Sequence, residues 1–340
     1  RIAAMPASER NSHWLKLLVL VAVSVIFSAY FLLSIDLGDV VDALEGANYA
    51  YVVPGLALFG VSVVFRSLRW SVFLAPNHEL STKRLLPSVL IGYAGNNLLP
   101  LRAGELVRAE YLYEHFEVPR MRTFGVLLME RLFDGLVLAT FVLWGLLLVD
   151  SGAAYLTIGL LLLAGTLTGF VFCTAVANRP GLLTTFGRLR VPFLGDAIHA
   201  QIAALGGSFL TGFTVLTSPR RFGMAMVATV GAWGMELAMY WFVARAFDLD
   251  ASLITIAFAG AAANVGLSVP LAQGGVGAFQ ILATEALVKS GVAQAAAAAY
   301  ALALHFFLIV PVSLVGLVVL WRKTLPSASR GSRPRVVEPE

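Results

Sequence analysis

The chain repeatedly runs for about twenty residues with almost no charge, the length an α-helix needs to cross a bilayer core of about 30 Å. Six segments meet that requirement: 15–35, 49–66, 122–149, 155–177, 221–246 and 294–321. The composition agrees, with 59% hydrophobic residues, 13% charged residues and a mean hydropathy of +0.82. Water-soluble domains carry about 25% charged residues, so a soluble enzyme or nucleic-acid-binding domain is excluded. A single cysteine also excludes a disulfide scaffold or thiolate metal centre. The first segment has the basic flank of a signal peptide but no small-residue cleavage site, and is expected to be a retained helix.

Two further apolar stretches are interrupted. The first, 85–118, breaks at Pro100-Leu101-Arg102-Ala103-Gly104; the second, 252–289, breaks at Pro270-Leu271-Ala272-Gln273-Gly274-Gly275-Val276-Gly277. Each would be either a full crossing or a re-entrant hairpin. The charges choose between these alternatives. With both re-entrant, 21 of the 24 Lys and Arg lie on the side of the two termini. Asp36, Asp39, Asp42, Glu45, Asp150, Asp248 and Asp250 face them across the membrane with Arg245 and Lys289. The positive-inside rule therefore predicts an all-α polytopic protein of six transmembrane helices plus two re-entrant hairpins, both termini cytoplasmic. Residues 1–14 form a cytoplasmic segment, 15–321 the membrane domain and 322–340 a basic, disordered tail. The segment 181–218 reads as an amphipathic helix on the inner surface.

The Pro-Leu-x-x-Gly pattern occurs at 100–104 and again at 270–274, an offset of 170 residues that also lays 49–149 on 221–321. By the charge-derived topology the two copies are inverted. Such repeats, broken at their interface, recur in secondary transporters, with the substrate site where the hairpin tips meet.

Within the first hairpin, Asn96, Asn97, Pro100, Arg102, Gly104, Glu105 and Arg108 surround the break. Proline and glycine stop one half-helix and let another begin, so free amides near Gly104 and two arginines would receive an anion. The alternative is that the arginines snorkel to lipid headgroups while Glu105 caps the helix. On 122–149, Glu130 and Asp134 share a face with Arg131 between them. Three uncompensated charges at a span centre would cost on the order of 8–10 kcal/mol, so they must be paired or hydrated. Arg131 is expected to pair with both acids, and Arg108 or Arg102 to neutralise the surplus charge; the cluster would either brace the hairpin or touch substrate.

The second half is poorer in charge. Glu236 and His305 lie mid-span and would form a proton relay, or His305 would satisfy a carbonyl. Asn264 precedes the second break, and Gln273, Gly274, Gly275 and Gly277 resemble a phosphate-cradling loop in composition alone, without the strand or Lys-Ser/Thr of a nucleotide site. No HExxH, CxxC or GxSxG motif is present, and no metal or cofactor is expected.

Three ordered patterns, Asn96-Asn97-x-x-Pro100-x-Arg102-x-Gly104-Glu105-x-x-Arg108, Glu130-Arg131-x-x-Asp134 and Pro270-x-x-x-Gly274-Gly275-x-Gly277, resemble the flippase-like domain, also called the lysylphosphatidylglycerol synthase transmembrane region. The resemblance spans 15–321. It implies a lipid translocase of the bacterial or archaeal cell membrane: members fused to an aminoacyl-transferase domain move aminoacylated phosphatidylglycerol, and relatives are linked with glycolipid, polyprenyl-lipid and hopanoid pathways. The expected partners are a membrane lipid with an anionic headgroup and a lipid-modifying or cell-envelope enzyme. Only the short tail follows the last span in this sequence, so no amino-acid attachment is expected of it. Two positions depart from the pattern: Ala301, after Tyr300, stands where arginine is common, and Gln280 where glutamate is. An intramembrane lipid-phosphate transferase using Glu130, Asp134 or Glu236 as base, and a non-transporting envelope partner, are the competing readings.

Overall fold

The structure is a computed structural model that describes residues 26, 29–75, 78–146, 153–179, 196–268 and 273–324. The described residues form the helices α1 (Leu37–Glu45), α2 (Val52–Leu74), α3 (Thr82–Leu98), α4 (Gly104–Phe116), α5 (Arg120–Leu146), α6 (Ala153–Ala177), α7 (Asp196–Leu210), α8 (Pro219–Ala246), α9 (Leu253–Ser268), α10 (Ala278–Lys289) and α11 (Gln294–Thr324). Most of the first expected span, the tail beyond 324 and the Pro270 hinge lie outside the described residues.

Among the described residues, five segments are long and apolar enough to cross a membrane: Tyr49–Leu74, Tyr155–Ala177, Ala200–Thr217, Pro219–Ala246 and Gln294–Arg322. Four overlie expected spans. Ala200–Thr217 does not: α7 continues through a 3-10 stretch, Thr211–Thr217, into a hydrophobic element of spanning length rather than a surface helix alone. It exposes Ile198, Ile202 and Leu205 and packs Gly212 backbone-to-backbone against Gly125 of α5. The remaining expected span, 122–149, is the 27-residue α5, long enough to cross but carrying Glu130, Arg131 and Asp134. Most of the Tyr155–Ala177 helix is left uncovered by the rest of the bundle, as expected of a helix whose apolar surface lies against lipid.

Both interrupted stretches are antiparallel helical hairpins. In the first, α3 and α4 touch from Gly95 against Gly104 to Ser88 against Arg108. A Cβ on Gly104 would overlap Gly92 and Asn96, so a glycine pair sets the closeness of the arms. In the second, a Cβ on Gly266 would come 2.7 Å from the carbonyl oxygen of Ala278. Their arms of 17 and 13 residues, and of 16 and 12, are shorter than the roughly 20 residues a crossing needs.

The packing is reciprocal. α2 lies along α8; α3 of the first hairpin packs on α11, and α9 of the second packs on α5. One core gathers Phe59, Trp233, Tyr240, Phe258, Phe279 and Tyr300, and another gathers Trp70, Phe73, Leu112, Phe133 and Phe213. The cavity described below lies beside both.

Candidate functional site: a polar cavity at the hairpin tips

α2 carries Ser62, Arg66 and Arg69, spaced by four and three residues and therefore on one face. All three are buried, Arg69 completely. Hydropathy alone ends this span at 66 and puts both arginines among the cations on the side of the termini. The helix instead continues to Leu74 and turns them inward, because carboxylates on α5 and α8 meet them.

The Arg69 guanidinium donates to Asp134 at 2.6 and 3.1 Å and to Glu130 at 2.7 Å. Arg108 of α4 donates to the other oxygen of Glu130 at 3.2 Å and to the Ser88 carbonyl, its guanidinium lying 4.3 Å over the ring of Trp70. Arg66 pairs with Glu236 and lies 3.9 Å from Asp134. The Trp233 indole donates to Asp134 at 2.9 Å, the Tyr240 hydroxyl to Glu236 at 2.6 Å, and the Asn264 amide to the Tyr240 oxygen at 3.0 Å. One continuous chain of polar contacts, most of them charge-assisted, thus runs from α9 through α8, α2 and α5 to α4. Three cations, Arg66, Arg69 and Arg108, face three carboxylates, Glu130, Asp134 and Glu236. Buried charges of this kind persist only when paired and hydrogen-bonded.

Arg131 does not bridge Glu130 and Asp134 as expected from their spacing. It turns away from them and donates to Glu105 of the first hairpin at 2.8 Å, in a pair whose arginine side chain is 45% exposed. Arg69, a residue the spacing argument did not include, takes its place. Of the 21 cations assigned to one face, Arg66, Arg69, Arg108 and Arg122 are buried, so part of that charge asymmetry reflects interior pairing rather than loop position.

Beside this network lies an open cavity with about 1130 Å³ of empty space, its mouth included. The tips of both hairpins line it. Asn96, Asn97 and Arg102 come from the first, Asn264, Gly274 and Gly275 from the second, and Arg66, Arg131, Asp134, Glu236 and His305 from the surrounding helices. A smaller adjoining cavity of about 340 Å³ reaches Gly104, Glu105, Arg108 and Glu130. Arg102 donates to the Leu267 carbonyl at 3.2 Å, joining one tip to the other. Leu101 and Arg102 take the left-handed conformation, with φ of 56° and 55°, while the other tip places Gly274, Gly275 and Gly277 at φ of 58°, 73° and 85°.

His305 does not contact Glu236 directly. Its Nε2 lies 2.9 Å from the Gly274 carbonyl and its Nδ1 2.6 Å from the Gln280 amide nitrogen, while Gln280 accepts from the Gly277 N–H. A carbonyl acceptor and an amide donor fix a neutral imidazole with its proton on Nε2. The expected relay therefore has no direct link, and His305 ties α11 to the second tip. Tyr300 donates to the Tyr240 carbonyl at 3.3 Å, within the core rather than the cavity. Asn97 donates to Ser313 of α11 at 2.9 Å. The side chains of Gln273 and Pro100 lie outside the described residues. Among the described residues, no group of His, Cys, Asp and Glu is placed to hold a metal.

Apolar helices of spanning length around a charged, hairpin-lined cavity define a multi-pass membrane protein with a polar site in its interior. The chain matches the Lysylphosphatidylglycerol synthase TM region over residues 14–316, and it belongs to that family. It is similar to a UPF0104 membrane protein of Methanothermobacter thermautotrophicus, 24% identical over 302 residues, 83% of this chain and 88% of that protein. It is also similar to the protein named Glycosyltransferase AglD of Haloferax volcanii, 25% identical over 328 residues. That match takes in 86% of this chain but 52% of AglD, so the chain spans about half of that relative's length.

Proposed function

We propose that this protein is a lipid flippase or lipid-linked substrate transporter. It moves an anionic, aminoacylated or glycosylated lipid between leaflets by alternating access of two inverted halves, with both termini cytoplasmic. The observation that carries this reading is the open, charged cavity bounded by both hairpin tips. Arg102 and Arg131 contact the headgroup, and the network of Arg66, Arg69, Arg108, Glu130, Asp134 and Glu236 holds the surrounding helices in place.

The inverted repeat is supported by an arginine and a glutamate 170 residues apart, the offset of the Pro-Leu-x-x-Gly pattern. Arg66 and Glu236 pair with each other, as equivalent positions beside a pseudo-two-fold axis would. The reciprocal packing of α3 on α11 and α9 on α5 supports it too. Arms too short to cross support re-entrant hairpins.

The transferase reading needs a carboxylate free to take a proton from substrate. Glu130, Asp134 and Glu236 are each engaged by arginine, which favours transport. A non-transporting anchor would be expected to have a filled interior, whereas a cavity of headgroup size is present. The test is reconstitution in liposomes with labelled lipids of defined headgroup, comparing the wild type with Arg102→Ala and Arg131→Ala. Translocation by the wild type and loss in both variants is expected; rates unaffected by both changes would remove these residues from the pathway.

A further inference from the structure

The three carboxylates of the buried network are not equally held. Glu130 is shared by Arg69 and Arg108, and Asp134 takes two bonds from Arg69 and one from the Trp233 indole. Glu236 has Arg66 alone: among the described residues no other cation lies within ion-pair distance of it. Of the three network cations, Arg66 is also the one that lines the larger cavity, and Glu236 lines it too. When an anion entering that cavity takes the Arg66 guanidinium, Asp134 keeps Arg69, but Glu236 keeps no cation.

The groups around Glu236 suit a carboxylic acid as well as a carboxylate. Its Oε1 accepts from the Tyr240 hydroxyl, which accepts in turn from Asn264 of α9. Its Oε2, the oxygen on Arg66, also lies 3.5 Å from the Oγ of the buried Ser62. A hydroxyl donates or accepts as its partner requires, so Ser62 is placed to receive a hydrogen bond from a protonated Oε2. Of the other groups packed around this pair, Asp134 of α5 lies across Arg66, and the Tyr93 ring of α3 lies 6.0 Å from its guanidinium. On α11, Tyr300 bonds the Tyr240 carbonyl, while His305 is tied to Gly274 and Gln280. None of these is a cation that replaces Arg66.

We propose that Glu236 couples transport to protons: capture of Arg66 by an anionic headgroup is matched by uptake of one proton on Glu236 Oε2, and departure of the headgroup returns Arg66 to the carboxylate and the proton to water. This rests on the lipid-transport reading and adds what that reading lacks, a link between headgroup movement and proton movement. A buried carboxylate stripped of its cation is neutralised by a proton rather than left charged. The proton comes from water in the open cavity, and the charge balances, since one anion and one proton enter together. Because a single arginine serves both partners, the bound headgroup and the ionised carboxylate exclude each other.

The experiment reads protonated carboxyl groups in the full chain by infrared difference spectroscopy. Arg66→Met imitates the loss of the arginine to a ligand and is expected to show, at neutral pH, one protonated carboxyl that the wild type lacks. The double variant Arg66→Met with Glu236→Gln removes both partners and is expected to lack it too. A folded, monodisperse Arg66→Met without that band overturns the proposal. The second arm uses the wild type in phosphatidylcholine nanodiscs, with labelled phosphatidylglycerol as the anionic-lipid probe. The probe is expected to raise the same band, and its affinity to fall by up to about tenfold per unit of rising pH, as uptake of one proton on binding requires. Glu236→Gln is expected to bind it with an affinity indifferent to pH. A wild type in which the probe raises no band or binds without pH dependence overturns the proposal, as does a Glu236→Gln that keeps the full slope. So does sodium sulfate raising the band at the same concentration, which marks a free-anion site. In liposomes, lipid movement that ignores an imposed pH gradient, with no band, leaves the transport reading standing and sinks this one; the band without lipid movement does the reverse.

Discussion

The two hairpins share a design and differ in what fills it. The first brings charge: Arg102, Glu105 and Arg108 within seven residues, with its tip held left-handed at Leu101 and Arg102 although neither is glycine. The second brings pliancy: its tip places Gly274, Gly275 and Gly277 at positive φ, and its contacts through Asn264, Gln280 and His305 are uncharged. In one hairpin the left-handed turn carries a steric cost of roughly 1–2 kcal/mol per residue and is kept where an arginine must face the cavity; in the other the turn is nearly free of that cost. In the proposed transport cycle the charged hairpin recognises and the glycine-rich one yields.

The contrast can be broken first at the charged half. Asp134→Ala removes one of the two carboxylates on Arg69, the acceptor of Trp233 and the weaker Arg66 contact, and is expected to destabilise the protein by about 3–5 kcal/mol, because three buried cations then face two carboxylates. Thermal unfolding in detergent by loss of monodispersity checks this, and a melting temperature within a degree of wild type would dissolve the network argument. Gly104→Ala comes next. Its Cβ meets backbone at Gly92 and Asn96, so the arms must separate, with an expected loss of about 1–3 kcal/mol and a drop in trypsin resistance of the first hairpin.

At the yielding half, His305→Phe keeps the stack on Phe279 but leaves the Gln280 amide and Gly274 carbonyl without their partner. A loss of about 1–3 kcal/mol is expected, read as a lower melting temperature in detergent. The smallest effect separates the tips themselves: Leu101→Gly is expected to stabilise by up to about 1 kcal/mol, because an exposed side chain is traded for relief at φ 56°, whereas Gly274→Ala should destabilise by a similar amount. Equal and opposite shifts sharpen the comparison; shifts of the same sign would erase it.

Much of this is legible in the amino-acid sequence. Hydropathy alone located α6, α8 and α11, because a run of twenty apolar residues has few other uses. The paired Pro-Leu-x-x-Gly patterns located both breaks, and four-residue spacing placed Glu130 and Asp134 on one face. What escaped was partner choice. Arg66 and Arg69 read as the charged end of a helix, since cations stop most apolar spans, and nothing local says that α2 continues to Leu74. Two signals were present: Ser62, Arg66 and Arg69 make one polar stripe, and Arg66 sits 170 residues from Glu236, the offset of the repeat. Arg131 stands three before Asp134, a spacing that permits the pair, but it follows Glu130 directly, and successive helical residues point about 100° apart; Glu105 of the first hairpin meets it instead. The spanning length of Ala200–Thr217 was hidden by the polar residues before it, which made the segment average amphipathic.

Alternating access as proposed requires the hairpin tips to move against the rest of the bundle while a headgroup passes. Asn97 of the first tip donates to Ser313 of α11, so Asn97→Cys with Ser313→Cys places two thiols across that joint for a short, reducible bis-thiol bridge. The native Cys173 is buried and stays in place. In liposomes, translocation by the double variant of the labelled lipid that the wild type moves is expected to stop when the bridge forms and to return on reduction. Full bridging with an unchanged rate would contradict the account.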